Sequence, residues 1–344
     1  MSAPVPVIRF RAYALRWRPR VALLCVVASG VCLVLALLLL GTGTLAFTPG
    51  EVLSALIGGG SNPIAERVIL GLRLPRVLTA LFVGSSLGMA GAIFQSIARN
   101  PLGSPDIIGF TTGAATGAIV QIILFDAGPL AVSLAAVASG MATATAVFLL
   151  ARKGQASGGN RLVLVGIGVG ATLTGVNTVL LVAGDLDRAV SAQIWLAGSL
   201  TARSWSHAVP TAAALVLIMP IALRYGARLS LLEMGDETAT QLGVPVERTR
   251  LAMVITAVAL TATATAAAGP IAFVALAAPQ LARRLGRSPE VPLVAAALIG
   301  AALLLLADLI SQRFPLNLDM PIGLTTGLVG GLYLLWLLGS SRKV

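Results

Sequence analysis

Residues 21–47 read VALLCVVASGVCLVLALLLLGTGTLAF and contain no charged side chain. A helix of about 20 residues crosses the ~30 Å hydrocarbon core of a bilayer, so this stretch is long enough to span one. An ionised Arg, Lys or Asp at the centre of a membrane helix costs about 2.5–3.5 kcal/mol, which favours stretches without charge. The apolar run also exceeds the roughly 7–15 residues of a signal-peptide core, so we expect it to be a retained membrane anchor.

The same pattern continues along the chain. Hydrophobic residues make up 57% of the 344 positions and charged residues 11%, and the charges lie in short gaps between apolar runs. Runs that are apolar on all sides favour helices, because barrel strands alternate between apolar and polar residues. The candidate spans are 21–46, 77–98, 106–125, 130–151, 162–183, 207–223, 251–268, 271–285, 292–312 and 320–339. We therefore predict an all-α polytopic membrane protein with about ten transmembrane helices.

The distribution of basic residues predicts an orientation. With the N-terminus in the cytoplasm and ten alternating spans, 18 of the 24 Lys and Arg residues fall inside. The six outside are Arg67, Arg73, Arg76, Arg188, Arg203 and Arg313. Basic residues are enriched in cytoplasmic loops, so this bias predicts that both termini are cytoplasmic. The predicted organisation is a basic cytoplasmic segment, 1–20, followed by one transmembrane domain, 21–344.

Several function classes are disfavoured. The net charge of +11 would suggest nucleic acid in a soluble protein, but here the bases follow the loops, so we expect no nucleic-acid partner. No GxxxxGK[ST] loop occurs, and GIGVGA at 166–171 lies inside an apolar span rather than after a strand. His207 is the only histidine, and Cys25 and Cys32 lie in one span. We expect no enzyme active site, no metal site and no cofactor in this chain.

Polar junctions rich in Pro and Gly interrupt the apolar runs. They read RLPR at 73–76, QSIARNPLGSPDIIG at 95–109, GDETATQLG at 235–243, GPIAFVALAAPQLARR at 269–284, and AD followed by R and PIG within 307–323. In this order they resemble the FecCD-type permease family of bacterial importers for iron–siderophore complexes, haem and vitamin B12, from about residue 45 to 340. Besides the loop 235–243 and the arginines, the motif residues are Gln95, Arg99, Asn100, Pro101, Pro105, Gly109, Gly269, Pro270, Pro279, Gln280, Asp308, Pro321 and Gly323.

The resemblance implies a complete assembly. The fold would be that of a type II ABC importer permease, in the bacterial cytoplasmic membrane, with a second homologous permease subunit. Two separate ATP-binding subunits would bind the ATP, and an extracytoplasmic siderophore-binding protein would dock outside. The family usually has Pro-His where this chain has Pro279-Gln280. The Gln form is similar to the second permease subunit of ferric enterobactin importers, which favours a catecholate siderophore and a heterodimer.

The cytoplasmic loop at about 229–250 is where the resemblance places coupling to the ATPase. Residues 235–243 predict a short helix, because Asp236 and Glu237 suit the first turn and Gly243 suits an end. The residues that match the family's coupling site are Gly235, Asp236, Glu237, Ala239, Leu242 and Gly243. The alternative is a plain solvated loop.

Outside, Arg73, Arg76 and Arg313 match positions that would dock the binding protein. The alternative for these arginines is anchoring at the lipid interface. Asp308 is the acid that lies deepest in a span, and we expect it to pair with a neighbouring arginine rather than to relay protons.

Three other interpretations stay open. A haem or vitamin B12 importer permease belongs to the same family. An ion-coupled secondary transporter would usually place ionisable groups in the middle of the membrane, where this chain has almost none. A structural scaffold would not need the Pro- and Gly-rich junctions.

Four pairs of glycines spaced four residues apart predict close helix crossings, with chance as the alternative. They are Gly84/Gly88, Gly113/Gly117, Gly166/Gly170 and Gly327/Gly331.

Overall fold

The structure is a computed structural model that describes residues 7–10, 13–16, 18–59, 62–151, 159–288, 290–313 and 320–340. Near the N-terminus, strands β1 (Val7–Phe10) and β2 (Tyr13–Arg16) form an antiparallel hairpin that the sequence did not predict. Everything else in the described ranges is helix or connection. The all-helical prediction therefore describes the body of the molecule and misses only this hairpin.

Fourteen α-helices follow in the described part of the chain. They are α1 (Pro19–Gly41), α2 (Pro49–Ile57), α3 (Pro63–Val68), α4 (Leu74–Ala98), α5 (Phe110–Phe125), α6 (Pro129–Ala151), α7 (Gly159–Ala183), α8 (Leu186–Leu196), α9 (Trp205–Leu232), α10 (Asp236–Gln241), α11 (Val246–Ala268), α12 (Val274–Gly286), α13 (Leu293–Arg313) and α14 (Ile322–Ser340). A π-helical turn, Ile69–Arg73, joins α3 to α4, and a 3₁₀ turn, Pro105–Ile108, precedes α5.

The helix lengths agree with a membrane protein. Among the described residues, seven helices are long and apolar enough to cross a bilayer, and the shorter Phe110–Phe125 and Ile322–Tyr333 are also apolar. Helix α1 leaves large apolar side chains such as Leu23, Val26 and Leu33 exposed, which suits contact with lipid chains. The predicted span 207–223 is too short, because α9 continues to Leu232 despite Pro210 and Pro220 in its interior.

Helix α4 is the centre of the bundle. Most of its residues are buried, and it packs against α9, α11, α12 and α13. A Cβ added at Gly88 would overlap the Ala296 carbonyl oxygen of α13, and one added at Gly300 would overlap the Gly84 carbonyl oxygen. Small residues therefore let the two backbones touch, as the Gly84/Gly88 pair predicts.

The other glycine pairs differ in their surroundings. A Cβ at Gly113 would overlap Thr143, and one at Gly117 would overlap the Ala135 carbonyl oxygen, so this pair also marks a close crossing. By contrast, no described atom lies within 4 Å of a Cβ added at Gly327 or Gly331 of α14. Within the described part of the chain, the prediction of a close crossing is wrong for that pair.

Polar contacts gather at the two ends of α4, which is 25 residues or about 37 Å long. At its start, Arg76 meets the end of α13, and Trp205 at the start of α9 donates to the Leu70 carbonyl oxygen. At its end, Arg99 meets the start of α10, which follows α9. We call these the Arg76 end and the Arg99 end of the bundle.

Candidate functional site

The short helix α10 lies at the Arg99 end, between α9 and α11. Gly235 precedes it with φ 113°, and Gly243 follows it with φ 78°, so both connections use backbone angles that favour glycine. Asp236 and Glu237 lie in its first turn. The predicted short helix between these two glycines is thus confirmed.

Asp236 holds α10 against two long helices. The Arg250 guanidinium of α11 donates to both Asp236 carboxylate oxygens, at 2.9 and 2.8 Å, and also to Glu247 at 2.6 Å. Arg99, which ends α4 in a left-handed conformation, donates to Asp236 Oδ1 at 3.3 Å. The Arg250 side chain is only 3% exposed, so its charge is balanced by carboxylates rather than by water.

A second cluster adjoins this contact. Arg283 of α12 forms an ion pair with Glu233 at the end of α9 and donates to Ser96 Oγ of α4 at 3.2 Å. Gln280 donates from Nε2 to the Pro101 carbonyl oxygen at 2.8 Å. A cleft of about 220 Å³ lies among these groups. Its lining residues are Gln95, Arg99, Asn100, Pro101, Glu233, Gln280 and Arg283.

The motif residues in this region therefore meet in space. Gln95 donates from Nε2 to the Leu276 carbonyl oxygen at 2.9 Å, which joins α4 to α12. Gly269, Pro270 and Gly323 lie elsewhere, in a close backbone contact near Ala197 and Gly198. The 95–109 and 269–284 motifs thus connect α4 to α12, and residues of both also line the cleft.

The residues predicted to couple to the ATPase face in two directions. Ala239 is fully buried, and Asp236 points into the arginine contact. Glu237, Leu242 and Gly243 are exposed, as is the neighbouring Met234. This outer face combines apolar side chains with one carboxylate, so it can meet a partner that the chain itself does not contain.

At the Arg76 end, Arg76, whose side chain is 26% exposed, forms an ion pair with Asp308. Arg76 donates to Asp308 at 2.6 Å from Nη2 and at 3.2 Å from Nε, and Gln312 adds a third hydrogen bond at 3.0 Å. The Asp308 side chain is fully buried. Asp308 thus pairs with an arginine as expected, although the partner comes from α4 rather than from its own helix.

The other two predicted docking arginines also contact the chain. Arg73 donates to the carbonyl oxygens of Leu40 and Leu45, and its guanidinium lies 4.8 Å from the ring centre of Phe47. Arg313 donates to Thr42 Oγ1 at 3.3 Å. Arg73 therefore helps to terminate α1, while Arg313 makes a longer, exposed contact.

Nearby, α2 begins with a capping box on the same side. The Thr48 backbone N–H donates to the Glu51 carboxylate at 2.8 Å, and this hydrogen bond lowers the pKa of Glu51. The contact therefore stabilises α2 above the ordinary pKa of a glutamate and is lost as pH falls through the lowered value.

Sequence reasoning missed three residues of the Arg99 end: Glu233, Arg250 and Ser96. One available signal was that acidic residues are rare: the chain has only 13, and Glu233 is one of them. Glu233 lies where α9 ends. What could not be read was the pairing with Arg283, which is 50 positions away.

Comparison with known proteins identifies the family. Residues 31–340 match the model of the FecCD transport family. The chain belongs to this family. The ferric enterobactin transport system permease protein FepG of Escherichia coli (strain K12) is 44% identical, over 94% of this chain and 98% of FepG. The hemin transport system permease protein HmuU of Yersinia pestis is 35% identical, over 82% of this chain and 86% of HmuU.

A solved structure supports the same fold for this FecCD protein. A metal-chelate type ABC transporter in an inward-facing conformation matches with a TM-score of 0.82 and 27% identity, over 93% of this chain and 99% of that chain. The resemblance seen in the five motifs is confirmed, and so is the permease fold. The chain is a multi-pass membrane permease rather than an enzyme.

Proposed function

We propose that this FecCD protein is the permease subunit of an ATP-driven importer that carries a ferric catecholate siderophore across the bacterial cytoplasmic membrane. The observation that carries the proposal is the 44% identity to FepG over nearly the whole of both chains. The Pro279-Gln280 pair of this chain also favours a permease of the ferric enterobactin type.

We propose ten membrane crossings with both termini in the cytoplasm. The contacts of the described helix ends agree with this alternation. The end of α1, the starts of α4 and α9 and the end of α13 lie at the Arg76 end, whereas the ends of α4, α9 and α12 lie at the Arg99 end. The 13-residue α12 is only about 20 Å long, so we propose that it completes a crossing together with the preceding segment 269–273; it brings Arg283 to the Arg99 end. A cysteine in place of Arg287 should react with a membrane-impermeant thiol reagent from the cytoplasmic side only; reaction from outside would overturn this topology.

The partners follow from the same proposal. A second permease subunit completes the pathway, and one of two ATP-binding subunits contacts the exposed surface that Met234, Glu237 and Leu242 form on and beside α10. ATP is bound by those subunits and not by this chain. A siderophore-binding protein docks at the Arg76 end, where the predicted docking residues Arg73, Arg76 and Arg313 lie; Arg313 supplies exposed positive charge, whereas the charge of Arg76 is balanced by Asp308.

Uptake of radioactive iron tests the substrate. Cells that rely on this permease should import iron from ferric enterobactin roughly tenfold better than from ferric citrate or haem, which corresponds to about 1.4 kcal/mol of discrimination. Haem stays an alternative within the family, because the hemin permease HmuU is 35% identical to this chain. Equal or better uptake of haem, citrate-bound iron or vitamin B12 would contradict the catecholate assignment while leaving the importer class intact.

A further inference from the structure

Helix α10 is poorly fixed by its own backbone. It has six residues, and the chain turns at Gly235 on one side and at Gly243 on the other. Of α10 and its flanking residues, Ala239 and Val244 provide the buried apolar contacts. A force applied to the exposed face of α10 therefore has to reach the rest of the molecule largely through side chains.

The strongest side-chain contact of α10 is the carboxylate of Asp236. Two arginines hold it from different helices: Arg250 binds both carboxylate oxygens, and Arg99 binds one. Nη2 of Arg250 donates to both carboxylate oxygens, and Arg99 approaches Oδ1 from another helix, so the two charge-assisted contacts reach Asp236 from different directions. Asp236 is therefore linked to two helices at once.

These arginines belong to the buried helices of the bundle. Arg250 lies near the start of α11, and Arg99 ends α4. Both helices are mostly buried, and they pack directly on each other. A displacement of Asp236 is thus passed to two packed helices together.

We propose that Asp236, held by Arg250 and Arg99, is the positioning residue through which movement of α10 is transmitted to α4 and α11. This inference rests on the proposed function, since it assigns the route by which an ATPase partner would drive transport. Glu237 contacts the partner from the exposed face, whereas Asp236 connects α10 to the transmembrane helices.

The structure allows the charge of Asp236 to be removed while Arg250 keeps a counter-ion. Glu247 accepts from Arg250 Nη1 at 2.6 Å, a different nitrogen from the one that contacts Asp236, so this contact should remain when Asp236 is neutralised. The Asn side chain in Asp236→Asn is also nearly equal in size to that of Asp. The variant therefore weakens the contact without leaving the buried arginine uncompensated.

The test is the amount of iron imported per ATP hydrolysed, measured in proteoliposomes with the full transporter and its binding protein. Ferric enterobactin carrying radioactive iron is the probe. Asp236→Asn should lower this ratio roughly three- to tenfold, the range expected for residues on a coupling network, while ATP hydrolysis persists. Asp236→Glu, which keeps the charge, should recover a large part of it.

Glu290→Gln is the matched control, because it removes another ion pair of the same end, with Arg18 at 2.8 Å, that does not touch α10. Its ratio should equal that of the wild type. An unchanged ratio in Asp236→Asn, or a fall in uptake that only follows a fall in assembled complex, would overturn the inference.

If Asp236→Asn does not assemble, the same ratio of iron imported to ATP hydrolysed is measured for Arg99→Gln. The side chain of Arg99 is 37% exposed and can be removed at little structural cost. A lowered ratio supports transmission, and an unchanged ratio contradicts it. If wild-type protein shows no ATP-dependent uptake at all, the proposed function itself fails, which is a separate result.

Discussion

The arginines at the Arg76 end differ in what they do. Arg76 neutralises a fully buried carboxylate, whereas Arg313 makes one exposed hydrogen bond of 3.3 Å to Thr42. Removing one member of a buried pair leaves the other charge without compensation. Substitutions of the two arginines should therefore affect different properties of the protein.

Arg76→Gln should lower the free energy of unfolding by about 3 kcal/mol, because Asp308 would stay buried without its cation. Thermal unfolding of the purified protein in detergent measures this. The double variant Arg76→Met/Asp308→Leu should be closer to wild type than the single variant, since it removes both charges. A double variant less stable than Arg76→Gln would contradict the account.

Arg313→Glu should leave unfolding unchanged and weaken capture of the binding protein, most strongly at low salt, where exposed charges are least screened. Affinity measured at two salt concentrations checks this. Equal affinity for variant and wild type would remove Arg313 from the docking surface. The sequence pattern alone assigns Arg76 and Arg313 the same docking role. It does not show the contact that distinguishes Arg76, because Asp308 lies 232 positions away in the chain.

At the scale of elements, the crossing of α4 and α13 depends on the absence of side chains. Gly88→Leu should lower the free energy of unfolding by about 1–3 kcal/mol or more, because the new side chain must displace the backbone at Ala296. Gly30→Ala on α1 is the control, since no described atom lies within 4 Å of its added Cβ. Similar unfolding of the two variants would show that α4 and α13 are not in close contact.

The elements also show what a single sequence can predict. The short helix at 236–241 was predictable because its acids and flanking glycines are local signals. The extension of α9 to Leu232 was not, because its interior prolines and the arginines near its end, Arg224 and Arg228, resemble a loop. The contacts of Gln280 with Pro101 and of Arg283 with Glu233 depend on which helices become neighbours, and that information is not local.

At the scale of the whole molecule, the chain combines a buried central helix with polar contacts at both of its ends. Charges are few, and the ion pairs at the two ends join different helices. The chain also lacks a phosphate-binding loop in its sequence. These features fit a permease that receives its energy from a partner rather than from an ion crossing its interior.

The most direct test of this claim is uptake of radioactive ferric enterobactin into proteoliposomes that contain this chain, its partner permease, the ATP-binding subunits and the binding protein. The account predicts that uptake requires ATP hydrolysis and continues after all ion gradients are abolished. Uptake that is driven by an ion gradient, without the ATP-binding subunits, would contradict it.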